Sequence, residues 1–242
     1  MRPLSVPELL NIWERGLGSR PFERALTILS AAAPESCATD LARMSIGRRD
    51  ASLLRVREWA FGSELAMMAA CPRCHRELET AMTVADLCMP IESASDSETS
   101  PAIGDYRFRC RAPNTDDLAA CVGLDMAMSR RTLFSRCVLD CARAGAPVAA
   151  DKLPAGIIDE VIDRIAETDQ ADIRIDLTCP DCDYRWNEVF DIVSFFWTEI
   201  DAWARRILRE VHILASAYGW RESDILALGP VRRQIYLAMA EA

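Results

Sequence analysis

The residues best placed for chemistry are two matched turns, Cys71-Pro72-Arg73-Cys74 and Cys179-Pro180-Asp181-Cys182. A Cys-Pro-x-Cys turn presents two sulfurs on one tight loop. Two such loops facing each other supply the four thiolates of a tetrahedral zinc site. A site closed by four thiolates leaves no open position for water or substrate, so this chemistry is structural. Roughly a hundred residues separate the turns, and the binding energy of the metal would help offset the entropy of closing so long a loop. Two other readings of the same cysteines stay open: independent thiol pairs cycling through disulfides, and ordinary cysteines in hairpin turns.

The flanks read as strands. Ile173, Ile175 and Leu177 alternate with Asp172, Arg174 and Asp176 before the second turn, and Tyr184, Trp186, Phe190 and Ile192 share one parity after it. Leu78, Thr80, Met82 and Val84 do the same after the first turn, against Glu77, Glu79 and Thr83. This is the period of a half-buried strand. A redox thiol pair usually sits where a strand enters a helix whose N-terminus lowers the thiol pKa; strands after both turns argue against that role. His75 and Asp183 follow the second cysteine of each turn, where the backbone often needs a left-handed conformation, and both are types that tolerate it. His75 is also a candidate zinc ligand in place of a thiolate, although its place in the turn is the simpler reading.

The elements around the turns are mostly helical. Val6, Leu9, Leu10 and Trp13 form a first stripe, broken at Gly16-Leu17-Gly18, and Pro21 opens a second helix through Phe22, Ala25, Leu26 and Leu29. A short third helix is expected around Leu41 and Met44, closed by Gly47, with Arg48-Arg49 as a solvated turn and a fourth helix from about Asp50 to Gly62. Tyr106, Phe108 and Cys110 alternate as a strand, and Pro113-Asn114-Thr115-Asp116-Asp117 reads as strand exit and helix cap. Helices are expected to about Met128, from Ser129 to Ala144 with Gly145 as the stop, and from Pro154 through Ile158, Val161, Ile162 and Ile165. The longest runs from Ser194 to Tyr218, with Phe196, Ile200, Trp203, Ile207, Val211 and Leu214 on one seam; two short helices close the chain.

Together these give an α+β fold, mostly helical, organised on paired β-hairpins carrying a four-cysteine zinc site in the manner of a zinc ribbon. The chain reads as a single composite domain, 1–242. Its parts are N-terminal helices (1–62), a first zinc hairpin (63–89), a flexible acidic loop (90–104), a strand-and-helix region (105–170), a second zinc hairpin (171–193) and C-terminal helices (194–242).

Composition narrows the function. Of 242 residues half are apolar, and the formal charge is −9, which disfavours a broad nucleic-acid surface. No apolar run reaches membrane-spanning length, and with ten cysteines and no recognisable signal peptide the expectation is a cytoplasmic protein with reduced thiols. Cys37, Cys88, Cys110, Cys121, Cys137 and Cys141 are expected to be small buried apolar residues. Cys137 and Cys141, four apart on the expected helix, would share a face as a conceivable second metal pair. With only His75 and His212 as histidines, no Gly-rich phosphate loop and no nucleophile elbow, no catalytic residues are assigned and no small-molecule substrate is expected.

Several phrases carry a resemblance: Trp13-Glu14-Arg15-Gly16, Pro21-Phe22-Glu23-Arg24-Ala25-Leu26, Ile46-Gly47-Arg48-Arg49-Asp50, Cys71-Pro72-Arg73-Cys74, Tyr218-Gly219-Trp220-Arg221-Glu222-Ser223-Asp224-Ile225-Leu226 and Arg232-Arg233-Gln234-Ile235-Tyr236-Leu237. In this order they resemble small proteins encoded with phage-like contractile injection systems, related to the T4-type baseplate protein family. The resemblance implies a non-catalytic component or assembly factor of a contractile-tail baseplate, whose partners are other baseplate or tail proteins. It also implies that Cys71, Cys74, Cys179 and Cys182 are zinc ligands. The common Cys-Pro-x-Cys-Gly form is departed from at both turns. The rival reading is a zinc-ribbon regulator binding nucleic acid through a basic face at Arg107, Arg109 and Arg111.

Overall fold

The computed structural model describes residues 1–87, 98–149, 153–169 and 173–240; Cys88, Asp172 and the acidic stretch 90–97 lie outside the described residues. The chain builds one apolar core, leaves it for a second, and returns to the first. The outbound path is α1 (Val6–Gly16), α2 (Pro21–Ala32), α3 (Ala38–Arg43), α4 (Ile46–Phe61), β1 (Glu64–Ala70), β2 (Glu77–Thr83) and α5 (Val84–Leu87). The second core holds β3 (Ala102–Ile103), β4 (Tyr106–Cys110), α6 (Thr115–Ala120), α7 (Met126–Cys137), β5 (Val138–Arg143), β6 (Ala146–Pro147) and α8 (Ala155–Asp169). The return path is β7 (Arg174–Thr178), β8 (Arg185–Val189), α9 (Ile192–Tyr218), α10 (Glu222–Leu226) and α11 (Pro230–Ala240).

Local signals set the first core. Glu8 reaches back to cap α1, its Oε2 accepting from the Ser5 backbone N–H at 2.8 Å and from the Ser5 hydroxyl at 2.7 Å, and Pro21 opens α2. Ala25, Ile28 and Leu29 of α2, Leu53 and Val56 of α4, and Phe196 and Ile200 of α9 are fully buried against one another. Each large side chain buried this way contributes about 1.5–3 kcal/mol. Gly16 admits the ring of Trp197, since a Cβ there would stand 2.2 Å from it. Arg57 on α4 clamps Glu199 on α9 through two hydrogen bonds of 2.9 and 2.6 Å.

Three expectations in this region are corrected. Gly47 does not close the third helix; it lies in the first turn of α4, which begins at Ile46 behind the Ser45 cap. Arg49 is not in a solvated turn but buried in that helix, with its Nε donating to Asp50 Oδ1 at 2.7 Å. Cys37 is exposed.

The second core differs more from expectation. The helix expected from Ser129 to Ala144 ends at Cys137, because residues 138–143 pair antiparallel with β4, Phe108 opposite Cys141 and Arg107 opposite Ala142. Cys137 and Cys141 therefore do not share a helix face, although both are buried in this core with Cys110. Gly145 is no helix stop: with Ala144 it forms the turn between β5 and β6, at φ of 85° and 49°, the double left-handed turn that matches strand twist. The sheet order is β3-β4-β5-β6. Of the expected acidic loop, the described part is ordered into the sheet: Thr99 bridges Cys110, and Ala102 and Ile103 pair with β4.

Candidate metal centre

Each hairpin carries its cysteines at the tip. β1 pairs with β2, Ala70 opposite Glu77, and β7 with β8, Thr178 opposite Arg185. The same two hydrogen bonds close each turn. The Cys71 N–H donates to the Arg76 carbonyl and the His75 N–H to the Cys71 carbonyl, both at 2.9 Å; the Cys179 N–H donates to the Tyr184 carbonyl at 2.9 Å and the Asp183 N–H to the Cys179 carbonyl at 3.0 Å. His75 and Asp183 take the left-handed backbone, at φ of 59° and 55°. That conformation is what folds the chain back under the sulfurs, and a histidine and an aspartate adopt it at modest cost.

The two tips meet. The Sγ atoms of Cys71, Cys74, Cys179 and Cys182 all lie within 4.8 Å of one another. Cys71 Sγ stands 3.7 Å from Cys182 Sγ, and Cys74 Sγ 3.5 Å from Cys179 Sγ. Four sulfurs about 2.3 Å from a central ion form a tetrahedron with edges of about 3.8 Å, so the spacing fits a metal. Cys71 and Cys179 are buried, Cys182 is half-buried and Cys74 is exposed. His75 is not among the clustered donors. Across the tips Arg76 pairs with Asp181 at 3.6 Å, a second, exposed link between the turns.

The electrostatics of the cluster point the same way. Burial pushes the Cys71 thiol up, but the backbone N–H groups of Cys74 and Arg73, together with the Cys74 and Cys179 side chains, outweigh it and bring Cys71 down to about 7. The Tyr184 N–H favours the Cys182 thiolate, yet burial and the sulfurs of Cys74, Cys179 and Cys71 push it up to about 12. Cys74 is raised too: the Arg76 N–H lowers it, and burial and Cys179 prevail. Bringing all four sulfurs to the thiolate form this close together takes a cation between them, and a coordinating metal would deprotonate its thiols outright.

The rival basic face is largely neutralised. Arg109 pairs with Glu98, and Arg111 donates twice to the fully buried Asp117, which also accepts from Arg136. No helix among the described residues is long and apolar enough to cross a membrane.

The comparisons with known proteins fall on this architecture. The family described as T4 bacteriophage base plate protein matches residues 28–197, from α2 through both cysteine hairpins into the start of α9. The chain belongs to that family, which supports a structural role in a phage baseplate. No curated protein matches significantly, and no solved structure does.

Proposed function

We propose that the protein is a non-catalytic structural component or assembly factor of a phage-like contractile tail or injection-system baseplate, held in shape by a structural Zn2+ on Cys71, Cys74, Cys179 and Cys182. The reading rests above all on one observation: four thiols from turns more than a hundred residues apart converge within 4.8 Å inside the family-matched segment. When bound, the metal supplies cross-linking and charge neutralisation; four sulfur ligands leave it no site for substrate. The hairpins then fix α4, which leads into β1, against α9, which follows β8, in the manner of a zinc ribbon. The helices act by contact with other baseplate or tail proteins, in the bacterial cytosol and in the assembled particle, with no part for membrane, nucleic acid or small-molecule substrate.

Metal content tests the site. Protein purified without chelator should carry about one zinc per chain, and the double variant Cys71→Ser/Cys179→Ser should carry almost none. Near-zero zinc in the parent chain, or full zinc in the double variant, overturns the metal reading. Co-purification from the native host should bring down tail or baseplate proteins; recovery of a monomer without companions overturns the assembly reading separately.

A further inference from the structure

The C-terminal helices carry a surface that the metal site does not use. α9 and α11 pack through Leu214 and Leu237, and are locked by a buried ion pair: Arg233 Nε donates to Glu210 Oε2 at 2.7 Å, and Gln234 Nε2 to Glu210 Oε1 at 3.1 Å. Beside this seam runs an open groove of about 320 Å³, with Arg206, Arg209 and Ile213 on the α9 wall and Gln234 and Ala238 on the α11 wall. Next to it on α11, Val231, Ile235 and Met239 recur every four residues and are 72%, 50% and 62% exposed. Such spacing puts them on one helix face.

The groove is basic in an acidic chain. From Arg205 to Ala240 there are six arginines and three acids, Glu210, Glu222 and Asp224, whereas the whole chain carries −9. Glu210, the one acid in the groove wall, is engaged by Arg233 and Gln234, and Arg206 reaches it only at 3.9 Å. Among the described residues Arg209 forms no ion pair. This surface lies beyond the family-matched residues 28–197.

We propose that the α9/α11 groove is the docking site for an acidic amphipathic helix of another protein. Such a helix lays an apolar stripe into a groove and reads it with charges on its flanks. Here the stripe would cover Ile213, Ala238 and Ile235, and its glutamates would meet Arg206 and Arg209, one helical turn apart. A nucleic acid would satisfy the arginines but leave Val231, Ile235 and Met239 uncovered, and the chain's overall charge opposes it. A second copy docking through the same patch would bring like charges together, because a two-fold interface sets each surface against itself. This proposal does not depend on the metal.

The test uses the full-length protein and fluorescein-labelled peptides of about 18 residues, long enough to span the groove. One peptide has leucines at helical spacing with glutamates elsewhere; the second has the same composition in scrambled order. Anisotropy should show saturable binding at least about tenfold tighter for the ordered acidic peptide, weakening as salt rises. Arg206→Gln/Arg209→Gln, which removes the charges without setting a second acid against Glu210, and, separately, Ile235→Glu should each cost about tenfold or more in affinity, with little change in thermal melts because these side chains are exposed. Equal binding of both peptides, or indifference to both variants, overturns the proposal. So does tighter binding of a single-stranded oligonucleotide, or sedimentation as a dimer that Ile235→Glu abolishes.

Discussion

The backbone N–H of Gly47 donates to the Asp169 carboxylate at 2.9 Å, and a Cβ on Gly47 would stand 1.8 Å from the Asp169 carbonyl oxygen. The contact joins the first turn of α4 in one core to the last residue of α8 from the other. A carboxylate at a helix N-terminus is held by the unpaired N–H groups and the helix dipole; here the missing side chain admits it. Gly47→Ala should therefore cost at least about 2 kcal/mol, since the clash is with backbone that cannot rotate away. A urea melt measures it, and a neutral result would mean the two cores slide freely past each other.

Asp117 ties the second core together and should give it an acid sensitivity. Its carboxylate is fully buried; it accepts from Arg111 at 2.6 and 2.9 Å, from Arg136 at 2.6 Å and from the Asn114 N–H at 3.0 Å. Burial alone would raise its pKa, but these donors hold it below the ordinary carboxylate value. A depressed folded value adds stability that is fully present above the unfolded value of about 3.9 and is lost as pH falls through the folded one. Asp117→Asn should cost about 3 kcal/mol near neutrality, and its deficit against the parent should shrink below about pH 4 in urea melts.

The paired cysteine turns, their flanking strands and the long α9 were legible in the sequence because each rests on a local signal. Cys-Pro-x-Cys spacing, the parity of Ile175 and Leu177, and the seam from Phe196 to Leu214 all report their own neighbourhood. Where partners are remote the reading fails. Val138 to Arg143 follow a helical run without a breaker and become a strand only because β4 stands beside them. Gly47 looks like a stop until Asp169, which fills the space beside it, is known. The arginines of the α9/α11 groove carried no motif; the one available hint was their excess over acids from Arg205 onward.

The β5–β6 turn offers a stabilising change. Ala144 sits at φ 49° ahead of Gly145 at 85°, and a left-handed backbone is costly for alanine but well suited to asparagine. Ala144→Asn should raise stability by about 0.5–1 kcal/mol. Thermal melts check this, and no gain would mean that the turn relaxes in solution.

Loading the cluster with zinc should release protons. Cys71, brought down to about 7, is mostly thiolate in the free cluster at pH 7.5, whereas Cys74 and Cys182 are raised and protonated there. Binding must strip those protons, so zinc affinity should rise with pH across the neutral range. Calorimetry in buffers of different ionisation enthalpy should report at least about two protons per ion at pH 7.5. A release of none would mean that the thiols are not the ligands.

Removing the metal should loosen the hairpins before the helices. In the unfolded chain, closing a loop of 105 residues between Cys74 and Cys179 costs about 4 kcal/mol plus a constant, so a metal bound at the four thiols would contribute most by pinning the tips. Behind the tips the two outer strands are weakly anchored: β2 and β8 contain no fully buried residue, whereas β1 and β7 bury Leu65, Ile175 and Leu177. A two-stranded hairpin is marginal alone. The helices have contacts of their own, since Arg57 grips Glu199 and the Phe61 ring meets Phe196 edge-on at 5.9 Å. Chelation should therefore raise amide exchange first in β2 and β8, leave α4 and α9 protected, and remove little of the helical circular dichroism. If α4 and α9 lose protection together with the hairpins, the ion is holding the helical core itself, and the contacts between α4 and α9 are too weak to stand without it.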